Sequence, residues 1–139
     1  ALNGLVAWIL DEAGESLHVL RDPTRGGVAT TIKEIAQQSG VDICLQEDSL
    51  PVNETVTGAC AILGFDPLFV ANEGKMLVIV APEQADAVLS VMQKHSVGEQ
   101  SAMIGEVMEE SVGRVMMRTA IGGLRAIEML AGEQLPRIC

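Results

Sequence analysis

Ser101-Ala102-Met103-Ile104-Gly105-Glu106-Val107-Met108-Glu109 and Arg114-Val115-Met116-Met117-Arg118 read as two strands around a turn at Gly113. Upstream of residue 100 helices and strands interleave; here the strands come as neighbours. That change of pattern predicts an α+β fold, with helices covering a mixed or antiparallel sheet. Beyond it, Leu124 to Met129 reads as a last strand or a helix.

Working back from this region, Met76 to Val80 is a continuous β-prone run suited to a central strand buried on both faces. Pro82 sits at the first position of a helix whose inward face is Ala85, Val88, Leu89 and Met92. Val41, Ile43 and Leu45 alternate with Asp42, Cys44 and Gln46, the period of a half-buried strand. Between these strands, Val56, Ala59, Cys60 and Leu63 mark a helix over 54–63 capped by Asn53, and Asp66-Pro67 breaks it. Earlier still, Val28, Ile32, Ile35 and Ala36 give one apolar face to a helix closed by Ser39-Gly40. An amphipathic helix ending near Gly14 and a short extended stretch from Leu17 to Leu20 open the chain.

The 139 residues suit one domain, and 48% hydrophobic residues suffice for a core. The longest apolar stretches fall far short of the roughly 20 residues of a membrane-spanning helix. Ala1 to Leu10 lacks the pattern of a secretory signal, so a cytoplasmic setting is expected. A net charge of −10 opposes a phosphate backbone, and 2% aromatics with no tyrosine leave no stacking platform, so nucleic acid is not an expected partner. Because Ala1 is not methionine and the first helix lacks a cap, the chain is expected to be cut from something longer.

Three cysteines at wide spacing suggest reduced thiols, and neither histidine, His18 or His95, has a partner at metal-ligand spacing. No metal site is expected. Cys44 and Cys60 fall in apolar patterns, as inert core thiols do. Cys139 ends the eight-residue segment Gly132-Glu133-Gln134-Leu135-Pro136-Arg137-Ile138-Cys139, which reads as a flexible tail spanning at most roughly 26 to 29 Å. An accidental terminal cysteine is the plain alternative. Two interior motifs invite chemistry as well. Asp22-Pro23-Thr24-Arg25-Gly26-Gly27 puts glycines and an arginine at a helix entry, where unpaired N–H groups favour an anion, although a turn capped by Thr24 or Asp22 explains the same residues. Asn72-Glu73-Gly74-Lys75 presents a carboxylate at the mouth of a strand, as a general base or simply as a solvated turn.

Together, Asp22 to Ala29, Ala71-Asn72-Glu73-Gly74-Lys75 and the ending Leu135-Pro136-Arg137-Ile138-Cys139 resemble the HypE family of hydrogenase maturation proteins, over nearly the whole chain. The first two motifs are similar to features shared with aminoimidazole ribonucleotide synthetase, selenophosphate synthetase and thiamine phosphate kinase; the ending is specific to HypE. The resemblance implies a fold like the carboxy-terminal domain of aminoimidazole ribonucleotide synthetase over residues 1–131, the tail at 132–139, and an amino-terminal ATP-binding domain absent from this chain. It implies that the carbamoyltransferase HypF loads a carbamoyl group onto Cys139. It also implies ATP- and magnesium-dependent dehydration of the thiocarboxamide to a thiocyanate, delivery of cyanide to iron on a HypC–HypD scaffold, and a full-length homodimer. Under it, Glu73 is the candidate base or positions the amide nitrogen, and Arg25, Gly26 and Gly27 are candidates to steady phosphate oxygens. The fragment alone is expected to hold no nucleotide and to be inactive. Two other readings stay open: a relative that activates a diffusible amide or selenide, and an interaction module that docks through its tail without chemistry.

Overall fold

The computed structural model describes residues 1–109 and 112–129. In chain order the elements are α1 (Asn3–Ala13), β1 (Leu17–Arg21), α2 (Gly27–Ser39), β2 (Asp42–Gln46), α3 (Glu54–Leu63), β3 (Leu77–Val80), α4 (Ala85–Lys94), β4 (Gly105–Met108), β5 (Val115–Arg118) and β6 (Leu124–Ala126). They form a four-stranded mixed sheet, ordered β4-β2-β5-β6, and a two-stranded antiparallel ladder of β1 with β3. The α+β expectation holds; of the stretch 124–129, Leu124–Ala126 is a strand and 127–129 belong to no helix or strand.

The two neighbouring strands do not form a hairpin. β2 lies between them, antiparallel to β4 with Ile43 opposite Val107, and parallel to β5 with Ile43 opposite Val115. Just ahead of β5, Val112 and Arg114 reach the end of β2, where Asp42 holds them. The Asp42 carboxylate accepts the backbone N–H groups of Val112 (3.2 Å) and Arg114 (2.8 Å), and also Nε (2.9 Å) and Nη2 (2.8 Å) of Arg114. These bonds let Asp42 be buried on the face of β2 opposite Ile43 and Leu45; with Cys44 buried beside it, β2 is buried on both faces and not half-buried as its alternation suggests. A buried carboxylate with its oxygens this well occupied meets little penalty.

Two apolar clusters hold the layers together. Ala29, Ile32, Ile35 and Ala36 of α2 pack on Ile43, Leu45, Val115 and Met117 of the larger sheet and on Ile127. Leu5, Ile9 and Ala13 of α1 pack on Val88 of α4. The β1–β3 ladder lies between them: Val19, Leu77 and Ile79 face the first cluster, while Leu17, Leu20, Val78 and Val80 face the second. Successive side chains on a strand point to opposite faces, so this short run supplies both. β3 thus has an apolar partner layer on each face, as its composition predicts, but it is half-buried and no central strand: among the described residues it pairs only with β1.

α3 begins and ends where expected, with Asn53 Oδ1 accepting the Thr55 N–H at 2.9 Å and Gly64 closing it. Its burial is not as its spacing suggests. Only Cys60 is buried, and Val56, Ile62 and Leu63 are 44%, 86% and 64% exposed, because the helix leans on little more than the turn Pro67–Phe69. Cys44 and Cys60 are free, buried thiols. His18 is exposed, and His95 packs edge-on against Trp8 with ring centroids 4.9 Å apart.

Candidate functional site

β1 delivers Arg21 and Asp22 to the entrance of α2, and the intervening turn is fixed by Pro23, which is fully buried. Neither Asp22 nor Thr24 caps α2. Gly26 occupies the cap position in a left-handed conformation with no side-chain cap bond, and the Thr24 hydroxyl donates instead to Asp22 Oδ2 at 3.3 Å. The first turn of α2 keeps its N–H groups free of any side-chain cap, the arrangement that suits an anion.

The second motif meets the first through the backbone. The N–H of Asn72 donates to the carbonyl oxygen of Pro23 at 3.2 Å. Asn72 also donates from Nδ2 to the Val70 carbonyl (2.8 Å) and accepts Lys75 Nζ on Oδ1 (3.3 Å), so Glu73 and Gly74 project from a braced loop. Gly27 makes this approach possible. Its φ is +68°, and a Cβ there would run into the Leu68 carbonyl oxygen and lie 2.7 Å from that of Val70. Only a residue without a side chain lets α2 sit this close to the 68–70 backbone.

Two cavities flank the junction and share Arg21 and Asp22. One, of about 250 Å³, is lined by Arg21, Asp22, Thr24, Arg25, Thr31 and Glu34. The other, of about 150 Å³, is lined by Leu2, Leu20, Arg21, Asp22, Lys75 and Met76. Across the larger cavity Arg21 Nη2 donates to Glu34 Oε2 at 3.1 Å. Thr31 is buried and its hydroxyl donates to the Gly27 carbonyl at 3.0 Å.

Of the residues singled out in the sequence, Arg25, Gly26, Gly27 and Glu73 are therefore brought to one edge of the fold. Arg25, Gly26 and Glu73 are exposed there, whereas Gly27 is buried. Among the described residues, no hydrogen bond or ion pair engages the side chain of Arg25 or Glu73. Cys139 and the whole tail at 132–139 lie outside the described residues. Arg21, Thr31 and Glu34 were missed, although a signal exists: Gly27, Thr31 and Glu34 fall at helical positions i, i+4 and i+7, one face of α2. No group of three or more His, Cys, Asp or Glu residues suited to a metal occurs among the described residues. Nor does any described helix have the length and apolarity to cross a membrane.

The sequence matches the family described as AIR synthase related protein, C-terminal domain, over residues 5–118. It is 52% identical, over all 139 residues, to 39% of the carbamoyl dehydratase HypE of Cupriavidus necator. The fold is similar to a crystal structure of the hydrogenase maturation protein HypE in complex with ATP: TM-score 0.90, 48% identity, 99% of this chain and 42% of that one. It is similar too to a chain of a HypE–HypF complex: TM-score 0.87, 42% identity, 93% of this chain and 41% of that one. The chain spans about two fifths of the length of these relatives.

Proposed function

We propose, for a chain that belongs to the family of AIR synthase related proteins as their C-terminal domain, that it is the carboxy-terminal domain of a HypE-type carbamoyl dehydratase serving hydrogenase maturation. The full-length protein dehydrates an S-carbamoyl group on its terminal cysteine, Cys139, to a thiocyanate. One observation carries this reading: the loops bearing Glu73 and Arg25 are joined by the Asn72–Pro23 bond, in a chain 52% identical along its whole length to a carbamoyl dehydratase.

Dehydration breaks the carbon–oxygen bond of the thiocarboxamide and removes both protons from its nitrogen. An amide oxygen is a poor leaving group; ATP supplies the phosphoryl group that carries it away as phosphate. The balance is thiocarboxamide and ATP giving thiocyanate, ADP, phosphate and a proton. The residues present fit a phosphate group, because the uncapped first turn of α2 and Arg25, unpaired among the described residues, lie together at one rim. There Arg25 and the backbone of Gly26 and Gly27 steady phosphate oxygens. Glu73, whose carboxylate has no partner among the described residues, receives a proton from the amide nitrogen or holds that nitrogen in place.

The described residues offer no carboxylate cluster for magnesium. In this reading magnesium is a cofactor of the full-length protein and would offset the charge of the phosphates. The partners are a HypF-type carbamoyltransferase, for which the HypE–HypF complex of a 42% identical relative is the support, and a HypC–HypD scaffold that receives cyanide. The full-length protein is a cytoplasmic homodimer. The test is to supply the full-length protein with the carbamoyltransferase, its substrates and ATP, and to follow the mass of the carboxy-terminal peptide. Carbamoylation followed by loss of water is expected; a carbamoyl group that persists in the presence of ATP overturns the reading.

A further inference from the structure

We infer that the Arg21–Glu34 pair seats the carboxamide itself, with the guanidinium donating to the oxygen and the carboxylate accepting from the nitrogen. This rests on the proposed dehydratase reading and adds two residues that no motif singled out. Charge and volume argue first. The larger cavity is lined by two cations, Arg21 and Arg25, and two carboxylates, Asp22 and Glu34, so its formal charge is balanced. Within it the charges of Arg21 and Glu34 offset each other, which leaves phosphate oxygens to the Arg25 rim and suits the Arg21–Glu34 side to a neutral group with one acceptor and two donors. At about 250 Å³ the cavity is also smaller than the roughly 300–1,000 Å³ of pockets that enclose a whole small molecule. It suits a functional group carried in on a peptide end.

The bonding inventory argues second. Arg21 and Glu34 are joined by one bond, Nη2 to Oε2 at 3.1 Å, and each side chain is 41% exposed. A guanidinium has five N–H donors and a carboxylate two oxygens, so Nε, Nη1 and Oε1 stay available among the described residues. The remaining donors match a carbonyl oxygen and the remaining oxygen matches an N–H. Half-exposed ion pairs contribute little to folding, so stability alone is a poor reason for this one. Thr31, one turn before Glu34, is buried and its hydroxyl is already used within α2, on the Gly27 carbonyl, so it does not compete for the same group.

The experiment uses full-length protein already carbamoylated on Cys139, and measures dehydration by peptide mass, the KM for ATP, and thermal melting. The proteins are wild type, Arg21→Gln, Glu34→Gln and the exchanged double variant Arg21→Glu/Glu34→Arg. Each single variant should slow dehydration on the order of 10²-fold, the usual cost of one donor aimed at a reacting oxygen, with melting and KM for ATP nearly unchanged. The exchanged variant restores an ion pair but inverts which end donates, so it should remain as slow as the singles. Recovery of the rate by the exchange would overturn the inference and make the pair structural. A raised KM for ATP with kcat intact would overturn it in favour of a nucleotide contact. Wild-type rates in both single variants, with wild type active, would overturn it while leaving the dehydratase reading standing. An inactive wild type would overturn both.

Discussion

Asn72 donates its backbone N–H to the carbonyl oxygen of Pro23 at 3.2 Å, and this contact sets the loop carrying Glu73 against the turn carrying Arg25. Pro23 is fully buried and locked in φ, so its carbonyl is a fixed reference point. On the other side, Asn72 is held by Val70 and itself holds Lys75. Among the described residues Glu73 is thereby positioned by backbone and amide bonds rather than by any partner of its own carboxylate, which suits it to take a substrate proton.

Replacing Glu73 by Gln in the full-length protein should leave folding and carbamoyl loading intact and slow dehydration about 10²- to 10⁴-fold, the usual contribution of a general base. The measurement is the single-turnover rate of water loss from the loaded peptide. An unchanged rate would make Glu73 a turn residue only.

Gly27→Ala should cost about 2–5 kcal/mol of stability, from a left-handed backbone of roughly 1–2 kcal/mol and an overpacked contact of roughly 1–3 kcal/mol. Gly40→Ala provides the control. Its φ is +65° but nothing lies within 4 Å of an added Cβ, so only the backbone cost of roughly 1–2 kcal/mol applies. Urea unfolding of both variants checks the difference; equal losses would show that the approach of α2 to the 68–70 backbone is not tight.

Asp42 titrates below the ordinary carboxylate range, chiefly because the Arg114 backbone N–H donates to it; burial opposes the shift, and the Arg114 side chain and the Val112 N–H add to it. A carboxylate depressed in the folded state contributes stability that is whole above its unfolded value, about pH 4, and is lost as pH falls through the lower folded value. Asp42→Asn should therefore be less stable than wild type at neutral pH, and the gap should narrow on acidification below about pH 4. Denaturant midpoints measured from pH 7 downward test this. A gap independent of pH would mean that the lost hydrogen-bond geometry, not the charge, is responsible.

Much of the fold is legible because its signals are local. Asn53 and Gly64 bracket α3, Ser39-Gly40 ends α2, and Pro82 opens the turn into α4. Pairing is less legible, because it depends on residues far apart in sequence. Nothing between Gly105 and Arg118 announces that β2 inserts between the two strands, and the apolar run of β3 suits a ladder between two helical layers as well as a central strand. Exposure of α3 is likewise invisible in its spacing, which records an apolar face but not what covers it. At the site, the two loops could be read as motifs, yet their junction is a single backbone bond, and Arg21 and Glu34 meet only because β1 ends beside α2.

The most direct test is to identify the sulfur that accepts the carbamoyl group. Full-length wild type, Cys139→Ser, Cys44→Ser and Cys60→Ser, together with a variant extended beyond Cys139, are incubated with the carbamoyltransferase and its substrates, and peptide masses are recorded. A thiolate is the required nucleophile, and Cys44 and Cys60 are buried. The account predicts the carbamoyl mass on the Cys139 peptide alone, no loading of Cys139→Ser or of the extended variant, and normal loading of the other two. A carbamoyl mass on Cys44 or Cys60, or undiminished loading of Cys139→Ser, would contradict it.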